Sequence, residues 1–198
     1  MRTALLLSGG MDSVAIAWWQ KPDIAITIDY GQKPAEAELR SASAVATALG
    51  IQHEVVRFDL SSIGSGDMAG EPPLALAPIP EWWPFRNQML LTAAAMKAVS
   101  LDARRLLIGC LSTDDQHADG KPEFIRAMNS VFSIQEGGMS VEAPAIHLTA
   151  TELTKLSGIP FEVLAWAHSC HRANEACGVC RGCLKHYDTM QALGYGAY

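Results

Sequence analysis

The chain has 198 residues, 49% of them hydrophobic and 18% charged. That composition excludes a disordered chain. The length suits one well-covered core with a small appendage, burying roughly 70% of the surface the unfolded chain exposes. The net charge of −6 argues against a protein that lives on phosphate contacts with nucleic acid.

The N-terminal apolar run is only Ala4-Leu5-Leu6-Leu7, whereas a secretory signal needs about 7–15 such residues. No run approaches the ~18 apolar residues of a membrane span. A cytoplasmic location is therefore expected.

Thr3–Leu7 reads as a short buried strand and Ser13–Gln20 as a helix. Ile24–Ile28 is a second strand. Ala35–Leu49 carries Leu39, Ala42, Val45, Ala46 and Leu49 at helical spacing, with Gly50 as its stop. His53–Arg57 is a third strand, Met89–Val99 a buried helix and Arg105–Ile108 a fourth strand. Strands alternating with helices predict an α/β fold: a parallel doubly wound sheet with helices on both faces. Ligands of such sheets sit beyond the carboxyl ends of the strands, so the loops there are where chemistry is expected. Asp59–Trp83 breaks the alternation with Gly64, Gly66, Gly70, Pro72, Pro73, Pro78 and Pro80, and reads as a lid or an irregular excursion. The expected organisation is a nucleotide-binding α/β domain over residues 1–165 and a small helical metal-binding lobe over 166–198.

Two clusters carry chemistry. Ser8-Gly9-Gly10-Met11-Asp12-Ser13 lies between the first strand and the first helix. Two glycines let backbone N–H groups approach an anion, the helix adds its positive end, and Ser8 and Ser13 add hydroxyl donors. Asp12 beside a phosphate makes sense as a helix cap or as a holder of Mg²⁺. The loop is neither GxxxxGK[ST] nor GxGxxG. The second cluster is Cys170, Cys177, Cys180 and Cys183, four of the five cysteines. Four thiols at this spacing suit a closed structural Zn²⁺ site, with an iron–sulfur cluster as the alternative. Cys110 stands apart and reads as a small buried residue.

Ser-Gly-Gly-x-Asp-Ser after a first strand resembles the pyrophosphate loop (PP-loop) of the N-type ATP pyrophosphatases. Asp29-Tyr30-Gly31-Gln32, Pro84-Phe85-Arg86-Asn87, Thr113-Asp114 with Glu123-Phe124, and the closing cysteine motif together resemble the 7-cyano-7-deazaguanine synthase (QueC) family within that superfamily. The resemblance runs from Leu5 to about Gly194. It implies an ATP-dependent ligase that adenylates the carboxylate of 7-carboxy-7-deazaguanine, lets ammonia displace AMP to give the amide, and uses a second ATP to dehydrate the amide to the nitrile.

On this resemblance ATP, Mg²⁺ and Zn²⁺ are the expected cofactors. Ser8, Gly9, Gly10, Asp12 and Ser13 would hold phosphate and metal; Asp29, Tyr30, Gln32, Arg86 and Asn87 would complete the nucleotide site. Asp12 and Arg86 would be catalytic, and Trp83, Asp114 and His117 would meet the substrate. Trp82-Trp83 could instead cover a core edge, and Asn87 could be a helix N-cap. Trp18-Trp19 are expected to pack, and Lys185, His171 and His186 to be surface residues beside the metal.

The chain departs from the family where Arg-His follows Asp-Tyr-Gly-Gln: it has Lys33 and Pro34. Phe85 replaces a glycine. Gln116–Pro122 replaces a Tyr-Pro-Asp-Cys-Arg run, and the usual lysine is missing around Thr149-Ala150-Thr151-Glu152. These changes lie toward the substrate, so adenylation is expected to proceed more readily than the nitrile-forming round. A bulkier amine, on a partner protein, is an alternative acceptor, as in QueC-like proteins of bacterial defence systems. A homodimer is the expected assembly, with no membrane or nucleic-acid partner. The competing functions are a tRNA-thiolating enzyme with an iron–sulfur cluster and a nucleotide-binding protein without turnover.

Overall fold

The computed structural model describes residues 1–114 and 116–196. Five strands form one parallel sheet: β1 Arg2–Leu6, β2 Ile24–Asp29, β3 Gln52–Arg57, β4 Ala103–Leu107 and β5 Ser140–Glu142. Their order is β3-β2-β1-β4-β5. The direction of winding therefore reverses between β1 and β4, and that reversal opens a crevice at their carboxyl ends. The expected α/β class is the one observed.

Among the described residues, seven helices surround the sheet: α1 Met11–Gln20, α2 Ala35–Leu49, α3 Arg86–Val99, α4 Pro122–Ser133, α5 Ala150–Ser157, the short α6 Phe161–Leu164 and α7 Arg181–Ala192. Strand alternation divides the core in two. Leu5 and Leu7 point to a layer with Val14 and Ile16 of α1, Val45 of α2 and Leu153 of α5. Ala4, Ile24, Ile26 and Leu106 point to the other, against Leu91 and Ala94 of α3 and Phe132 of α4. Each fully buried Leu or Ile contributes roughly 1.5–3 kcal/mol, so these two layers are the main stabilising term.

Gly50 ends α2 as the sequence implies. α4 begins at Pro122, whose missing N–H costs nothing in a first turn. α5 begins with a capping box: Thr149 accepts from the Glu152 N–H, and the Glu152 carboxylate accepts from the Thr149 N–H. The Asp59–Trp83 segment contains only the single 3₁₀ turn Ser61–Ile63. It is held down by Met68 and Trp83, both buried in the α3 layer. No helix among the described residues is long and apolar enough to cross a membrane.

Candidate active site and metal centre

The first strand ends at Leu6 and the chain turns through Ser8-Gly9-Gly10 into α1. Gly9 has φ +78°, and a Cβ there would lie 2.5 Å from the Glu38 carbonyl oxygen and 2.9 Å from the Ser41 Cβ. Only glycine fits. The Gly9 carbonyl accepts from the Ser41 hydroxyl at 2.7 Å and from the His168 N–H at 2.9 Å, so α2 and the C-terminal segment both grip the loop. The Ser13 hydroxyl donates to the Gly10 carbonyl and lies 3.1 Å from the Ser8 hydroxyl.

Gly10 is the N-cap of α1 and no side chain caps it. Asp12 is therefore not a cap. Its Oδ2 accepts from Lys185 Nζ at 2.8 Å, while its Oδ1 is buried without a hydrogen-bond partner. Burial raises the Asp12 pKa; Lys185 works the other way, and Asp114 adds a further upward push. Asp114 Oδ1 lies 3.5 Å from Lys185 Nζ, and Asp114 Oδ2 accepts from the Leu111 N–H at 2.9 Å. Burial opposes the Lys185 charge, but the two carboxylates outweigh it and hold its pKa above the usual value. A buried carboxylate oxygen with no partner, beside a second carboxylate, fits a divalent cation.

These groups line a cavity of about 280 Å³ at the carboxyl ends of β1, β2 and β4. Ile26, Ile28, Leu90 and Ile108 form an apolar wall suited to a flat ring. Arg86, the first residue of α3, enters the cavity; its guanidinium touches the Met68 sulfur, and Tyr30 Oη donates to the same sulfur at 3.8 Å. Burial works against the Arg86 charge, yet Tyr30, Asp119 and Glu38 together keep its pKa raised. Glu38 also lines the cavity, and burial lifts its pKa to about 7 although Gln32 donates to it at 2.8 Å. The far end is polar. Glu81 is only 4% exposed and pairs with Arg181 at 3.2 Å, beside His117 and His171. Burial lowers the pKa of both histidines, that of His171 to about 4, so both are neutral near pH 7.

The structure brings together Ser8, Gly10, Asp12, Ser13, Tyr30, Arg86, Asn87, Asp114 and His117 on this one cavity, with Gly9 directly behind it. Asn87 is the second residue of α3, not its N-cap, and donates from its side chain to the Asp119 carbonyl. Besides Gly9, three expected residues lie outside the lining. Asp29 accepts from the Gly31 N–H and pairs with Arg57. Gln32 is buried and braces its loop, donating to the Ile28 carbonyl and accepting from the Tyr30 N–H. Trp83 is 3% exposed and packs edge-on against Tyr30, so it covers the core rather than the cavity. Trp18 and Trp19 pack as expected. Asp115 lies outside the described residues.

The expectation that Lys185, His171 and His186 are surface residues is corrected. All three line the cavity, and His186 is only 3% exposed, with its Nδ1 3.0 Å from the Ser169 hydroxyl. No local signal in the sequence marks them, because the chain returns to the first loop only after crossing the whole sheet.

The Sγ atoms of Cys170, Cys177, Cys180 and Cys183 all lie within 4.8 Å of one another. Cys177 to Cys183 is 3.9 Å and Cys180 to Cys170 is 4.0 Å. Four sulfurs on one Zn²⁺ at ~2.3 Å would stand about 3.8 Å apart in a tetrahedron, far from the ~2 Å of a disulfide. Thiolates around a cluster of several irons would stand farther apart, so the spacing fits a single tetrahedral ion. Backbone N–H groups of His171, Arg172, Cys180 and Cys183 point at the sulfurs at 3.4 Å. A Cβ on Gly182 would collide with the Ser169 carbonyl, so α7 can start against the first ligand only with glycine there.

Fold and site thus define an α/β protein with a glycine-bearing strand–helix loop at the sheet's reversal point and a four-cysteine cluster beside it that could hold a metal ion. The family model described as queuosine biosynthesis protein QueC matches residues 2–194. Among curated proteins, the 7-cyano-7-deazaguanine synthase of Nostoc punctiforme is 36% identical, covering 98% of this chain and 96% of its own. The same-named proteins of Pseudomonas aeruginosa and Methanosarcina barkeri are 31% and 30% identical, each over 98% of this chain and 95% of their own. The chain belongs to the QueC family.

Proposed function

We propose that this chain is an ATP-dependent 7-cyano-7-deazaguanine synthase. The observation that carries the reading is the single cavity joining the Ser8–Ser13 loop, Arg86, Asp114 and the polar Glu81–Arg181 end, in a chain similar over its full length to proteins of that name. A carboxylate is a poor electrophile. Its oxygen attacks the α-phosphorus of ATP, pyrophosphate leaves, and AMP becomes the leaving group. Ammonia attacks the acyl carbon and expels AMP, giving the amide. The amide oxygen then attacks a second ATP, pyrophosphate leaves again, and loss of AMP and a proton gives the nitrile.

The apolar wall supports the adenine; the loop N–H groups and the Ser8 and Ser13 hydroxyls support the phosphates. Arg86 supports the charge that develops as pyrophosphate departs. Asp12 and Asp114 would hold Mg²⁺, which, when bound, neutralises phosphate oxygens. The buried Glu81 carboxylate is placed to accept from the N–H groups of a guanine-like edge. Zn²⁺ at the four thiolates would be structural, since no ligand position stays open.

The departures at Lys33-Pro34 and Gln116–Pro122 favour a slower second round, with amide accumulating ahead of nitrile. They also favour a partner protein's amine as an alternative acceptor. Unbridged thiols support a cytoplasmic setting. Pyrophosphate release from ATP and Mg²⁺ that depends on 7-carboxy-7-deazaguanine tests the reading; release indifferent to the acid would refute it.

A further inference from the structure

We propose that Lys185 is the phosphate-binding cation of this site, delivered from the first turns of α7 to the loop after β1. The proposal rests on the ATP reading above. The first turn of α5 carries no cation: Thr149 and Glu152 are spent on the capping box, and its basic residue, Lys155, is in the last turn. Lys185 lies beside that same turn, sharing a surface recess with Thr149, Ala150 and Thr151. It also lines the main cavity with Ser8, Gly10 and Ser13. One ammonium therefore stands between the start of α5 and the anion loop, where pyrophosphate would be held.

Its contacts suit a group that changes partners. Nζ lies 2.8 Å from Asp12 and 3.5 Å from Asp114, two carboxylates sharing one ammonium. Asp12 Oδ1 remains without a partner, so the arrangement is left unsatisfied. As magnesium pyrophosphate enters, the ammonium moves from the carboxylates to a phosphate oxygen and leaves Asp12 and Asp114 to the metal. The four-thiolate site fixes this ammonium. Lys185 is two residues past Cys183, and Cys180 is the N-cap of α7, its sulfur accepting from the Cys183 N–H. A metal held by those sulfurs would fix the first turn of α7 and with it the Lys185 stem.

The test uses the full zinc-loaded chain. Calorimetry measures the affinity for inorganic pyrophosphate with Mg²⁺, paramagnetic resonance the affinity for Mn²⁺ alone, and elemental analysis the zinc. Lys185→Met and Lys185→Gln are expected to weaken pyrophosphate about 10–100-fold, the worth of a charged hydrogen bond. Both should bind Mn²⁺ more tightly, because two carboxylates lose their counter-ion, and both should keep one zinc. Lys185→Arg should restore pyrophosphate to within a few-fold. A purely structural ion pair would not move the two affinities in opposite directions. Pyrophosphate affinity within twofold of wild type in both neutral variants would overturn the proposal, as would a loss found only where zinc is lost, or no recovery with arginine. A wild-type chain that fails to bind pyrophosphate would overturn the ATP reading and this proposal with it.

Discussion

The Ser41 hydroxyl donates a 2.7 Å hydrogen bond to the Gly9 carbonyl and so fastens α2 to the anion loop. The same contact leaves no room for a side chain at Gly9, where a Cβ would meet the Glu38 carbonyl oxygen at 2.5 Å. Gly9→Ala must therefore push α2 away or distort the loop. It is expected to cost about 1–3 kcal/mol of stability and most of the pyrophosphate release. Ser41→Ala, which loses only the hydrogen bond, should cost about 1 kcal/mol. Denaturant titrations and a pyrophosphate assay on both variants check the difference.

Asp12→Ala should lower pyrophosphate release by at least about 10²-fold, the scale of losing one group that stabilises transition-state charge. The fold should persist within about 1 kcal/mol, because Asp12 caps nothing and its pair with Lys185 is part-exposed. Near-normal turnover in the variant would show that the carboxylate holds no metal.

Purified protein is expected to carry one zinc per chain. Cys180→Ser should release it and unfold α7 and its approach, since binding free energy at such a site is folding free energy. Elemental analysis that finds iron, or freshly prepared protein without metal, would reject this assignment.

Glu38 supplies a pH signature. Its folded pKa, raised to about 7 by burial, exceeds the ordinary 4.5, so between these values the folded protein keeps a proton that the unfolded chain has lost. The stabilising contribution is complete below about pH 4.5 and is lost as pH rises through 7. Its size is of order 1–3 kcal/mol, nearer the lower end because the carboxylate opens on the cavity. Glu38→Gln keeps an acceptor for Gln32 and should flatten that part of the stability–pH curve. Parallel curves for wild type and variant, from urea unfolding between about pH 5 and pH 8, would contradict it.

Phe85 adopts φ +58°, a left-handed conformation at the N-cap of α3, and is 73% exposed. The strain is not offset by packing. Phe85→Gly should stabilise the protein by about 0.5–1 kcal/mol, read as a higher melting temperature.

The first half of the sheet was legible because buried parallel strands are continuous apolar runs, and the winding followed from their alternation with helices. The Ser8–Ser13 turn between β1 and α1 and the thiol cluster are local in sequence, so their positions were equally plain. α4 went unread, although Pro122 at its first position and the helical spacing of Ile125, Met128 and Phe132, all three buried, carry a signal for it. β5 had almost none, being three residues with Val141 alone buried. Trp83 could not be assigned to core or cavity until its contact with Tyr30 was known. Lys185 was invisible for a different reason: it lies 173 residues from Asp12, and only closure of the fold brings the two together.

The most direct measurement is mass spectrometry of the products formed from 7-carboxy-7-deazaguanine, ATP, Mg²⁺ and ammonia. The expected result is AMP and pyrophosphate together with the amide, which appears first, and then 7-cyano-7-deazaguanine. Recovery of the unchanged acid, with no amide, nitrile or pyrophosphate from zinc-loaded protein, would contradict the proposed function.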